Sequence, residues 1–145
     1  MRYQVYVDIN LPIEKVVEKF KNSENYYDWM EGLEKIEPVQ GEMGQEGTQN
    51  YFHFKTGKRE MKMLETVKRN NLPHSYLISY EVNGVFNEVD SQFEALNENK
   101  TRYTTNNLFR FKGMMKIMAL FMKGAFKKQS LSYLNSFKKF VEKDD

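Results

Sequence analysis

Residues 75–96 read SYLISYEVNGVFNEVDSQFEAL, and the reading of this stretch decides the fold. Tyr76, Ile78, Tyr80 and Val82 alternate with Leu77, Ser79 and Glu81. A period of two sends successive side chains to opposite faces, so the segment is a strand with one face set against a core. Asn83-Gly84 follows, and both positions tolerate the positive φ that a two-residue hairpin turn requires. Val85 to Leu96 is then the returning strand.

Working outward, the same pattern repeats on both sides. Asn97 to Lys100 is a polar turn into a last strand, Thr101 to Phe111, with Tyr103, Thr105, Asn107, Phe109 and Phe111 on one face. Upstream, Asn70-Asn71-Leu72-Pro73 is a loop, Lys58 to Arg69 a strand, and Thr56-Gly57 a tight turn back to Thr48–Lys55. Leu33 to Gln40 reads as an edge strand because Pro38 cannot donate to a ladder. Gly41, Gly44 and Gly47 mark the turn after it. At the start, Tyr3, Val5, Val7 and Ile9 alternate with Gln4, Tyr6 and Asp8, and Asn10-Leu11-Pro12 ends that strand. Ile13, Val16, Val17 and Phe20 then recur at helical spacing, and a second short helix with Tyr26, Tyr27, Trp29 and Met30 is expected from Ser23 as its N-cap. After Gly113 everything reads as helix to about Val141. Its apolar side shifts from Met114, Met118, Phe121, Met122 and Ala125 to Phe126, Tyr133, Leu134, Phe137, Phe140 and Val141, which predicts a bend or break near Gly124. The order is strand, two helices, six strands and a long helix. A meander with one wet face must bury the other, and the last helix is the available partner.

Composition narrows the function. The 145 residues fit one domain, 1–145, and 22 basic against 20 acidic residues, interleaved, argue against a nucleic-acid partner. There is no cysteine, which excludes disulfides and thiolate chemistry. The chain opens directly on a strand, without the apolar block of a signal peptide, and cytoplasmic residence is expected. Met114 to Met122 is interrupted by Lys116 and is far short of a ~20-residue membrane span. Nine Tyr, 11 Phe and nine Met are material for an irregular cavity or for an ordinary core.

Several segments carry a resemblance: Val16-Val17-Glu18-Lys19-Phe20 followed by Tyr26-Tyr27-Asp28-Trp29, Gly57-Lys58-Arg59-Glu60-Met61, Leu72-Pro73 before a strand, Asn83-Gly84-Val85-Phe86-Asn87, and Phe111-Lys112-Gly113 opening the last helix. In that order they resemble the SRPBCC (START-like, or helix-grip) superfamily, in particular its short bacterial polyketide cyclase/dehydrase-like members. The resemblance implies an α+β helix-grip fold. A curved antiparallel sheet of about seven strands would wrap a long C-terminal helix, with two short helices after strand 1 and a deep cavity between sheet and helix. It implies no particular reaction, because fold does not fix function.

Strand phase nominates the cavity wall. Met61, Met63 and Val67 share a face, with Glu65 among them. A carboxylate there is desolvated and its pKa raised, as a general base or ligand anchor requires, unless a bulge turns it outward. Tyr80, Tyr103, Thr105, Asn107 and Phe109 are the other wall candidates, with Met118 and Met122 from the helix. Thr105 and Asn107 are polar handles in an apolar wall, or partners of each other. His53 and His74 have no convergent ligands or nucleophile in sequence, so no metal and no cofactor is expected. Lys112, Lys116, Lys123 and Lys127 fall within roughly 60° of an ideal helix, a solvated face or a transient contact with anionic lipid headgroups. Three functions stay open. One is a binding or carrier domain for a small hydrophobic, lipid-like or aromatic molecule. The second is a cofactor-independent cyclase, dehydratase or isomerase with Glu65 as its base. The third is an interaction domain whose cavity is filled by its own side chains.

Overall fold

A computed structural model describes residues 1–143. Strand β1 (Arg2–Ile9) is followed by helix α1 (Ile13–Lys21), a single 3-10 turn (Ser23–Asn25) and helix α2 (Tyr26–Trp29). Six strands come next: β2 (Leu33–Gln40), β3 (Gln49–Thr56), β4 (Arg59–Asn71), β5 (Ser75–Val82), β6 (Val85–Asn97) and β7 (Lys100–Phe111). Helix α3 (Met115–Glu142) closes the chain. All seven strands form one antiparallel sheet in the order β1-β7-β6-β5-β4-β3-β2. The helix-grip architecture is therefore present, with β2 at an edge as Pro38 requires. The opposite edge is β1, so α1 and α2 run from one edge of the sheet to the other across its concave side.

Two local details differ from the sequence reading. The β3–β4 turn is Gly57–Lys58, one residue further on, since Thr56 pairs with Arg59. Gly57, at φ +65°, takes the first turn position, where only glycine is unstrained. The 3-10 turn is capped by Asn22, not Ser23: the Asn22 side chain accepts from the Glu24 amide at 3.1 Å.

The register puts one residue set on the concave face. Val5 lies opposite Thr105, Ser91 opposite Thr105 on the other side, and Tyr76 opposite Ser91. The core is built there around Phe137, which is fully buried. Its ring meets Trp29 at 4.9 Å, Tyr103 at 5.4 Å and Phe20 at 5.7 Å between centroids. One side chain thus joins α1, α2, α3 and the sheet.

Helix α3 runs unbroken through Gly124, so the break expected there is absent. Met115, Ala119, Phe126, Ser130, Tyr133, Leu134, Phe137 and Val141 are among its covered positions, and these eight fall within about 100° of an ideal helix. The sheet-facing side of the first half is therefore Met115, Ala119 and Phe126. Met114, Met118 and Phe121 point away from it. The Tyr3 hydroxyl fixes this rotation: it donates to the Phe126 carbonyl at 3.1 Å and lies 2.6 Å from Ser130 Oγ.

Phe137→Ala would open a cavity where four elements meet, and a loss of about 3–5 kcal/mol is expected in urea denaturation. Leu120→Ala, on the exposed side of the same helix, is expected to change stability by less than about 0.5 kcal/mol. Equal losses would show that α3 is not anchored through Phe137.

Candidate functional site

The concave face has a closed end and a partly open one. At the closed end Phe20, Phe93, Tyr103 and Phe137 pack ring against ring, with Phe93 and Tyr103 stacked at 4.9 Å. Toward the β5–β6 hairpin the same face presents Phe54, Met61, Met63, Tyr80, Val85 and Val89, all only half-buried. Met115, Ala119 and Phe126 of α3 pack against the same core, with Phe126 on Phe109 and Phe111 of β7. This half-covered strip of the face, called the trough below, is lined by aromatic, thioether and branched aliphatic groups.

A polar row crosses this trough. Strand pairing sets Asn50 opposite Glu65, Glu65 opposite Tyr80, and Tyr80 opposite Asn87, one residue each from β3, β4, β5 and β6. Because the period is two, all four side chains emerge on the concave side. Glu65 keeps 3% of its surface, and Tyr80 donates its hydroxyl to Glu65 Oε2 at 3.0 Å. The bulge in β4 lies between Val67 and Arg69, beyond Glu65, so it does not turn the carboxyl outward. Asn50 is buried, its amide 3.9 Å from Met43 Sδ. Asn87 Oδ1 is buried with no hydrogen-bond partner, as is Trp29 Nε1 on the helix side.

Burial pushes Glu65 up to about 7, against the hydrogen bond from Tyr80, which favours the charged form. The hydroxyls of Tyr26, Tyr80 and Tyr133 are driven well above their usual 10 by burial first and by the Glu65 charge among the lesser causes. They remain protonated donors around a carboxyl that titrates near neutrality. Tyr80 and Tyr133 are half-buried.

The wall candidates from the sequence separate into groups. Met61, Met63, Glu65 and Tyr80 come together in the trough. Thr105 and Asn107 satisfy each other: the Asn107 amide donates to Thr105 Oγ1 at 3.0 Å. Tyr103 belongs to the closed end, where its hydroxyl bonds Ser91 and burial lifts its pKa to about 12. Phe109 is packed by Phe126 at 4.9 Å, Phe111 at 5.7 Å and Tyr3 at 5.9 Å. Met118 is a correction, since it is half exposed and lies on the outward flank of α3. Met122 is more than a third exposed, at the border of the covered side. Asn50, Asn87 and Tyr133 were not singled out from the sequence. The signal for the asparagines was present: Asn50 is in phase with Phe52 and Phe54, and Asn87 with Val85 and Val89.

The histidines stand apart. His53 Nε2 is 2.9 Å from Glu37 Oε1, and this bond holds the Glu37 carboxyl below its ordinary range. His74 is exposed. Among the described residues no cluster of His, Asp or Glu is arranged to hold a metal ion.

No family model and no curated protein sequence matches this chain. Solved structures do. The Zhui aromatase/cyclase from Streptomyces sp. R1128 superposes with a TM-score of 0.78 at 13% identity, over 98% of this chain and 93% of that one. Ara h 8.0201 does so with 0.77 at 12% identity, over 99% of each chain. Norcoclaurine synthase from Thalictrum flavum gives 0.76 at 12% identity, over 100% of this chain and 95% of its own. At such identities the likeness establishes the fold.

The buried carboxyl has a measurable consequence. Its folded pKa, about 7, lies above the unfolded value of 4.5, so the folded state holds the proton more tightly. The stability this confers is full below pH 4.5 and is lost as pH rises through 7. Glu65→Gln is expected to abolish that loss, leaving stability unchanged at pH 4 and raising it at pH 8 by on the order of 3 kcal/mol. Parallel denaturation curves at the two pH values check this; an equal effect at both would mean Glu65 titrates normally.

Proposed function

We propose that this chain, which has the helix-grip fold of the SRPBCC superfamily, binds a small, largely apolar molecule in the trough between its sheet and α3. The observation that carries the reading is the polar row in an otherwise apolar wall, with the Tyr80–Glu65 hydrogen bond at its centre. Tyr80 and Asn87 are the members of the row that keep free surface, and a few polar groups in an apolar lining orient a ligand. The ligand class that fits is an aromatic or lipid-like body carrying a hydrogen-bonding group. Covering about 200 Å² of apolar ligand surface contributes about 5 kcal/mol before ordering costs, so the walls supply affinity and the row supplies orientation. The fold accommodates such molecules elsewhere: norcoclaurine synthase has been crystallised with dopamine and hydroxybenzaldehyde.

A second reading rests on Glu65 alone. A carboxyl near pKa 7 exchanges a proton readily at neutral pH, and Tyr80 at 3.0 Å holds its orientation. Proton removal from, or return to, a bound cyclisable or dehydratable substrate is the chemistry this pair supports. It needs no cofactor, and it uses the same trough.

Native mass spectrometry of the purified protein, followed by solvent extraction, identifies any retained molecule. Titration with a hydrophobic fluorophore such as anilinonaphthalene sulfonate then reads the trough directly. Met63→Arg and Val89→Trp are expected to weaken fluorophore binding at least about tenfold, the two obstructing different parts of the wall. Unchanged binding in both variants, with circular dichroism intact, would remove the trough as the site. For turnover the discriminating result is a rate inflection near pH 7 that disappears in Glu65→Gln.

A further inference from the structure

The first half of α3 is apolar on both sides. Its inner side, Met115, Ala119 and Phe126, packs against the core. Its outer side carries Met114, Ile117, Leu120 and Phe121, which expose 83%, 63%, 80% and 85% of their surfaces. Around a straight helix, Leu120, Ile117, Phe121, Met114 and Met118 fill an arc of about 160°. Contiguous exposed apolar groups of this size mark a contact surface.

Charge indicates the partner. Between Glu98 and Glu142 the sequence contains no acidic residue, while Lys112, Lys116, Lys123, Lys127 and Lys128 occur within the same span. Lys116, Lys123 and Lys127 fall within about 40° along one border of the apolar arc. A helix lying flat in a lipid interface needs this arrangement: apolar groups reaching the acyl boundary, and ammonium groups beside them at headgroup level on flexible stems. The net charge of the whole chain is only +2, so the basic character is concentrated here. Among the described residues no helix is long and apolar enough to cross a membrane, and lying in the surface requires no such helix.

We propose that the outer face of the first half of α3 docks on an anionic lipid surface, with Ile117, Leu120 and Phe121 entering the interface and Lys116, Lys123 and Lys127 contacting headgroups. Docking needs no ligand in the trough, so vesicle binding and ligand binding are read separately.

Flotation with vesicles of phosphatidylcholine, alone or mixed with phosphatidylglycerol, tests the assignment on the full chain. Binding to the anionic vesicles only, weakened by salt, is expected. Replacing Lys116, Lys123 and Lys127 together with Gln should weaken it by about 100-fold. Leu120→Glu with Phe121→Glu should abolish it, and since both side chains are exposed, circular dichroism should not change. No binding to anionic vesicles overturns the proposal, as does binding that survives either set of substitutions. A concentration-dependent dimer in light scattering that Phe121→Glu dissolves also overturns it, because the occupant of the face is then a second copy.

Discussion

The structure depends on a mismatch of widths. Seven strands at ~4.8 Å spacing place the edge strands about 29 Å apart, and a helix with its side chains is only about 10–12 Å across. One helix cannot cover that concave face. The ring cluster at Phe137 resolves half the problem by drawing α1, α2 and the second half of α3 onto one end, where Trp29, Phe20 and Tyr103 fill the remaining space. The short helices are held there because their chain must pass from edge strand β1 to edge strand β2. No third helix is available for the other end. The trough is what remains when a wide sheet is covered by too few elements.

Within that trough the Glu65 carboxyl works against stability. Burying a carboxyl without a cation disfavours its charged form, and the single hydrogen bond from Tyr80 offsets only part of this. An apolar residue at the same place would pack with Met63 and Val67 at no such cost. The same desolvation makes the group chemically useful, because it keeps a proton available at neutral pH and strengthens every polar contact in the row.

Nearly all of the fold was legible from alternation, because a period of two is unambiguous where one face is apolar. The phase of residues 61–67 alone placed Met61, Met63 and Glu65 inward, and the absence of a bulge before Val67 preserved that phase. The rotation of α3 was not legible. Its first half is apolar over most of its circumference, so Met114, Met118 and Phe121 look as suited to a core as Met115, Ala119 and Phe126 do. The choice is made far along the chain, by Phe137, Leu134 and Val141 at the buried end and by the Tyr3 hydroxyl against Ser130 and the Phe126 carbonyl. A continuous helix transmits that rotation back to Met115, and the break expected at Gly124 came from taking the outer stripe for the inner one. The polar row was only half visible for a related reason. It is assembled across four strands by register, and single-strand patterns do not encode register.

The two sides of the first half of α3 belong to one lightly held element. That half-helix meets the sheet through Met115, Ala119 and Phe126, all only partly buried, whereas the second half is held by Leu134, Phe137 and Val141 and by Lys138, which donates to the Asp8 carbonyl at 2.6 Å. Elements with few buried contacts are the first to open. A molecule in the proposed trough would contact the inner side of that half-helix, and the proposed lipid surface would contact the outer, so both occupants would bear on the same weakly held element. The ring cluster at the closed end supplies a density of buried contacts that the first half of α3 lacks.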